Sequence, residues 1–329
     1  MKEKKELVNS QGTQDLVIFK SKDKQVSEEL PEYKFERIDQ ENKIKLLSEF
    51  KPYGGHYVLS IQLSNESRAP ITEVRIKINY SNFLTLTRSY PPTIYIPEPI
   101  DEGETSKIIL EFDEITEQSN KLINLHFTPT MLDEKGEIRT VTTFVNNKDY
   151  VRVLNLDPVN LKLDKITIIP KIIPSYYVGD FSKIHGMKRA IKSLGIRIQG
   201  AFDPNLYLDI LEDVFIRNSL QLIAKDPNKR ILWYFGSELE SRDDVLVIGQ
   251  ISSNKVEIIA TSNNHHVLIS ILTSFSNEFK EHLIRRDIVK RLDDIYDLDC
   301  IYCGAVLPYF PKQGEEIQCL KCNYEQIIW

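Results

Sequence analysis

The sequence predicts a multidomain fold: a β-sandwich, then an α+β unit made of an antiparallel sheet with helices, then a small metal-bound ribbon. Three observations predict it. Between 231 and 279, three short β-branched and aromatic runs separated by polar turns lead into helical periodicity. Between 33 and 165, short alternating runs recur with turn residues between them. All four cysteines of the chain fall between 300 and 322, in two C-x-x-C pairs.

The totals bound the function. At 329 residues the chain is long enough for several cores, and 41% hydrophobic with 27% charged residues is ordinary for a globular protein. A net charge of −6 argues against non-specific nucleic-acid binding, which rests on phosphate neutralisation by basic surfaces. The amino terminus alternates Lys and Glu without the apolar stretch of a signal peptide, and no run reaches bilayer-spanning length. A cytoplasmic setting is expected, with membrane association peripheral and only through partners.

Residues 1–32 are polar around one apolar island, Leu16, Val17, Ile18 and Phe19, and read as a flexible tail. Residues 33–165 read as β. Tyr57, Leu59, Ile61 and Leu63 share one face of a strand, and Val74, Ile76, Ile78 and Tyr80 share a face of the next. Further strands are read at 93–96, 106–112, 122–129, 139–145 and 151–156, with 133–136 as a hairpin turn. Seven or so short strands fit an immunoglobulin-like β-sandwich.

Residues 166–283 read as the α+β platform. A proline-bounded run at 166–174 leads in. A short helix is expected over 185–194, stopped by Gly195. A second is expected over 204–224, with Asp203 as N-cap and Pro204 in its first turn. Strands at 231–235, 245–249 and 255–261 follow, and Val267, Leu268, Ile271, Leu272 and Phe275 make the apolar stripe of a covering helix. A charged linker helix is expected at 284–298 before the ribbon at 299–329. Its interspersed acids and bases, Asp287 four residues before Arg291 among them, make a solvated face.

This order of parts resembles the appendage, or ear, of clathrin adaptors and of the coatomer gamma subunit. The coatomer version is the nearer in wording. Its helix ending in leucine-glycine is matched by Ser193-Leu194-Gly195, its apolar strand running into glycine by Leu232-Trp233-Tyr234-Phe235-Gly236, its aspartate entering a strand by Asp244-Val245-Leu246-Val247, and its third strand by 256–262. The likeness spans about 33–283. It implies a non-catalytic module that docks short peptides or a protein surface on the platform, in coat-type vesicle trafficking. The family's α-solenoid trunk is absent, the 204–224 helix exceeds the family's connection, and Tyr176 or Tyr177 stands where the family has a tryptophan.

Independently of the resemblance, Tyr176, Tyr177, Trp233 and Phe235 are candidate protein-binding anchors, because aromatics add contact area at little entropic cost. The bland reading of Trp233 and Phe235 is packing beneath the helix. Cys300, Cys303, Cys319 and Cys322 are the expected ligands of one structural Zn2+, since two C-x-x-C turns supply four thiolates to a tetrahedral ion; rubredoxin-like iron is the alternative, which fits less well because the second pair lacks the Cys-Pro-x-Cys-Gly wording. Gly304 and Asn323 follow each second cysteine, where positive φ aids the turn, and 305–309 and 316–318 are read as the ribbon's paired strands. Four thiolates leave no coordination position for water, so the ion is expected to hold a fold and not to catalyse.

No phosphate-binding glycine loop, His-Glu-x-x-His or Gly-x-Ser-x-Gly sequence occurs. His265 and His266 read as surface or cap residues, and the adjacent pairs Asp243-Asp244 and Asp293-Asp294 do not share a face for acid–base work. The reading is therefore a non-enzymatic adaptor. The alternative is a nucleic-acid or transcription-associated zinc-ribbon factor using the basic residues at 285–291. A pocket of convergent polar groups would reopen catalysis.

Overall fold

A computed structural model describes residues 42–90, 105–197, 203–252, 255–300, 305–307 and 315–327. The expected tail, the strand at 93–96 and Cys303 lie outside them. Strands dominate, and every strand pair among the described residues is antiparallel.

The first unit holds β1 (Ile44–Tyr53), β2 (His56–Asn65), β3 (Ile71–Ser81), β4 (Leu84–Tyr90), β5 (Thr105–Ile115), β6 (Ser119–Pro129), β7 (Glu134–Val145), β8 (Val151–Asn155) and β9 (Val159–Leu163). One sheet runs β1-β2-β6-β4. The other runs β5-β3-β7-β8, with β9 on the first half of β7. Alternation decides the faces: Tyr57, Leu59, Ile61 and Leu63 point inward from β2, and Ile76 and Ile78 meet them from the other sheet in one shared core. Strands β4 and β9 are additions to the expected set. A bulge between Leu86 and Arg88 breaks the period of β4, so its alternation does not show as a clean run.

The expected turn at 133–136 lies earlier. Asp133 takes the positive φ of 63°, and Gly136 already belongs to β7. A Cβ there would stand 2.0 Å from Ser81 Oγ, so the glycine serves close strand approach.

The second unit holds β10 (Ile168–Pro170), α1 (Tyr177–Phe181), β11 (Lys188–Ile196), α2 (Pro204–Arg217), β12 (Gln221–Asp226), β13 (Ile231–Glu238), β14 (Asp244–Ser252), β15 (Lys255–Ser262), α3 (His265–Arg285) and β16 (Ile295–Asp297). Its sheet runs β10-β13-β14-β15-β11-β16, with β12 on the same edge of β13 as β10. Leu232 and Tyr234 of β13, Val245 and Val247 of β14 and Val256 and Ile258 of β15 face α2 and α3. Gly249 lets α2 settle, because a Cβ there would lie 2.5 Å from Leu211 Cδ2.

Three expected helices are corrected. Residues 185–194 include β11 and not a helix: Ala190 and Leu194 fit either period, and pairing with β15 from Lys188 to Gly195 decides for strand. The Leu194-Gly195 wording of the appendage resemblance therefore falls on a strand. The helix at 204–224 stops at Arg217, where Asn218 Nδ2 donates to Val214 O and Ser219 turns at φ 60°. Leu222 consequently lies in β12. Its start is as expected, with Asp203 accepting from the N–H groups of Asn205 and Leu206. The linker helix at 284–298 is also not continuous: α3 ends at Arg285, Asp287 turns at φ 55°, and 295–297 forms β16.

Helix α3 is buried on two sides. Leu268, Ile271, Phe275 and Phe279 join the core under the large sheet, whereas Ile269 enters the sandwich core. Hydrogen bonds fix the second contact: Gly54 N donates to His265 Nδ1 (2.9 Å), Ile166 N to Ser270 Oγ (3.1 Å) and Asn277 Nδ2 to Thr130 O (2.6 Å). A Cβ on Gly55 would come 2.8 Å from Leu272 Cδ1, so the β1–β2 turn lies directly on the helix. No helix among the described residues is long and apolar enough to cross a membrane.

Candidate functional site

The ribbon is built around sulfur. Strands β17 (Glu316–Gln318) and β18 (Glu325–Ile327) pair with each other, and Val306 bridges Asp299; 308–309 of the expected strand lie outside the described residues. The turn between β17 and β18 presents Cys319 and Cys322. Asn323 adopts φ 58° and its N–H donates to Cys319 O (2.8 Å), while Cys319 N donates to Tyr324 O (2.9 Å). On the opposing side Cys300 N donates to Ala305 O (2.8 Å).

These turns bring the Sγ atoms of Cys300, Cys319 and Cys322 within 4.8 Å of one another. Cys300 Sγ and Cys322 Sγ are 3.6 Å apart. A disulfide would need about 2.05 Å. Tetrahedral thiolates about 2.3 Å from a zinc ion stand about 3.8 Å apart, so the spacing fits a shared metal. Cys303, the fourth expected ligand, lies outside the described residues. Cys300 and Cys319 are buried with Leu307 and Ile317, four buried residues of one small core among the described residues. The ribbon is tied to the body by β16, which pairs with β11, and by Leu298 N donating to Ser193 O (2.9 Å).

The four aromatic candidates separate. Tyr176 is 77% exposed, beside Ile172 at 84%. Tyr177 is half-buried against Phe181, and Trp233 is half-buried in β13. Phe235 is corrected: it is 0% exposed and meets Phe181 edge-on at 5.0 Å between ring centres, so it is core and out of a partner's reach. Its burial arises because α1 covers the sheet face opposite α3. Of the carboxylate pairs, Asp244 is bound to Lys171 (2.6 Å) and Asp243 accepts from Asn264 Nδ2 (2.7 Å).

Sequence reasoning missed one cluster. The outward face of the β1-β2-β6-β4 sheet carries His56, Arg88 and His126, with Arg88 directly across from His126. Arg88 Nη2 donates to His126 Nδ1 (2.7 Å), which also lies 2.9 Å from His56 Nε2. Burial, then the Arg88 charge, pushes His56 down to about 4 and His126 down to about 3. The available signal was the polar phase of β2: once Tyr57 and Leu59 face inward, His56 faces out.

Comparison with descriptions of known families and with curated proteins found no match. Among solved structures the chain is similar to Northeast Structural Genomics Consortium target SoR45, at 14% identity and TM-score 0.24, over 37% of this chain and 87% of that one. It is also similar to Spo0M, a sporulation control protein of Bacillus subtilis, at 10% identity and TM-score 0.21, over 67% and 79%. A third likeness is to a GH20 exo-β-N-acetylglucosaminidase of Vibrio harveyi, at 9% identity and TM-score 0.24, over 67% of this chain but 39% of that one. Overlaps this loose carry no argument about function.

Proposed function

We propose that the chain is a non-enzymatic adaptor: an immunoglobulin-like sandwich and an appendage-like platform held as one body, closed by a ribbon around one structural Zn2+. Its partners are proteins or short peptides. The observation that carries this reading is the segment at 171–187, which holds Ile172 and Tyr176 in solvent while Phe181 anchors it to the sheet. Two large apolar side chains held out on a pinned, proline-flanked segment suit a hot spot that needs little ordering on binding. A role in coat-type vesicle trafficking rests on the appendage resemblance alone, and a cytoplasmic setting belongs to that role.

The zinc-ribbon nucleic-acid reading is disfavoured by the pairing of three of the four basic residues at 285–291. Arg285 is bound to Glu281 (2.7 Å), Arg286 to Asp213 (2.7 Å), and Arg291 lies 3.9 Å from Asp294. A photo-crosslinking residue placed at Tyr176 tests the adaptor proposal against the same residue at Lys162 on the sandwich. The adaptor reading expects discrete protein adducts at 176, lost when Ile172→Ser is added. Adducts equal at both positions, or none at 176, would contradict it.

A further inference from the structure

A cleft of about 1410 Å³ runs between the outward face of the β1-β2-β6-β4 sheet and a second wall formed by β11, α3, β16 and the ribbon. It is larger than the roughly 300–1,000 Å³ of typical small-molecule sites. Its charge opposes that of the chain: six basic side chains line it against two carboxylates among the described residues, although the net charge is −6. Lys192 Nζ and Lys280 Nζ, on the second wall, share the one carboxylate of Asp297 at 2.5 and 3.9 Å. On the first wall stands the Arg88–His126–His56 cluster.

We propose that this cleft binds a phosphate-bearing ligand, seated on Arg88, His126 and His56 and faced by the lysines of the opposite wall. The geometry favours phosphate. A guanidinium and two imidazoles within 3 Å contacts of each other supply donors in several directions, which the oxygens of a phosphate can meet together. Without an anion, Arg88 spends a donor on His126 Nδ1, and that nitrogen must stay unprotonated to accept it. A phosphate taking the Arg88 donor frees Nδ1 to carry a proton and donate in turn. Binding therefore takes up protons.

The groups facing the pair are mostly basic. Tyr53 and Lys51 stand on β1, Arg88 on β4 and His265 on α3, with Lys188 beside His265. Across the cleft are Arg189, Lys192, Lys280 and Lys321, with Asp297 and Asp299 as its carboxylates. Arg88 and His265 act on His56 electrostatically, and Arg88 and His56 on His126. Burial first, then the charges of Arg88, His265 and His56, oppose protonation of the pair, whereas Asp297 and Asp299 carry the opposite sign; a bound anion offsets the positive charges.

The test is titration calorimetry of the full chain with inorganic phosphate and pyrophosphate at pH 6 and 8, in two buffers of different ionisation enthalpy. The proposal expects binding at least tenfold tighter at pH 6, with buffer-dependent heats showing about one proton more taken up than by His126→Asn with the same anion, since phosphate itself titrates in this range. Arg88→Gln should weaken binding tenfold or more. His126→Asn should weaken it less and flatten the pH dependence. Lys162→Ala, on the far surface, should change nothing, and circular dichroism and Tm guard against misfolded variants. Flotation with vesicles carrying a phosphoinositide distinguishes a lipid headgroup from a soluble phosphate: Arg88-dependent flotation assigns the first, and soluble binding without flotation the second. No binding at either pH, binding indifferent to Arg88→Gln and His126→Asn, or equal binding of poly-glutamate would overturn the proposal.

Discussion

The sandwich and the ribbon solve the same problem at opposite scales. The sandwich buries apolar side chains from both sheets, with Leu59, Ile61, Leu63, Phe127 and their neighbours at 0% exposure. It holds through area removed from water, at about 1.5–3 kcal/mol for each large side chain. Among the described residues the ribbon buries two cysteines, Leu307 and Ile317. We propose that the order of these described residues depends on an ion held by the cysteines, because the apolar surface they bury is small beside the chain entropy. On this proposal one region is self-sufficient and the other is conditional on metal.

The largest effect that would break this contrast is at the sulfurs. Cys319→Ser should reduce zinc to well below one per chain by native mass spectrometry and release the ribbon, because a structural site contributes about 10–16 kcal/mol of apparent binding free energy. The cooperative unfolding of the body should persist. Next comes Phe127→Ala, which removes a buried ring packed on Tyr80 and should destabilise the body by about 3–5 kcal/mol in urea unfolding, with zinc content unchanged. If it instead strips zinc, the two regions are not independent.

Gly55→Val sharpens the contrast at the junction. Its side chain would press on Leu272 and Ala190, at a cost of about 1–3 kcal/mol. Limited proteolysis should then cut between 163 and 168 faster than in wild type, and equal rates would show that the β1–β2 turn does not hold α3. The smallest effect at neutral pH is that of His56 and His126. Both are held neutral in the fold, whereas unfolded histidine titrates at about 6.5. The unfolded chain therefore binds more protons below 6.5, and stability falls from pH 6.5 towards about 4. His56→Gln/His126→Gln should flatten that part of the Tm–pH curve.

Much of the fold was legible because period-two runs and turn chemistry act locally. The three strands from 231 to 261, their order and the helix after them were readable from the chain, as was the Asp203 cap. The errors have one cause. Lys188–Ile196, the end of α2 and the segment after Arg285 are decided by partners distant in sequence: β15, β13 and β11 respectively. Charge runs at 284–298 looked helical because i,i+4 pairing does not depend on whether a sheet edge is waiting for strand 295–297. At the candidate site the cysteine spacing was enough to predict that Cys300, Cys319 and Cys322 meet. Phe235 needed knowledge of α1, which covers the second sheet face, and Arg88 with His126 needed the register of β4 on β6.

The central claim is that metal alone orders the carboxy-terminal ribbon on a body that folds without it. Hydrogen exchange by mass spectrometry, on the full chain before and after chelation, tests it most directly. The account predicts that amides of Cys300, Leu307, Cys319 and Asn323, which are hydrogen-bonded around the sulfurs, lose protection on chelation, while those of β2, β6 and α3 keep theirs. Protection retained at the ribbon amides in metal-free protein, or lost across the whole chain, would contradict it.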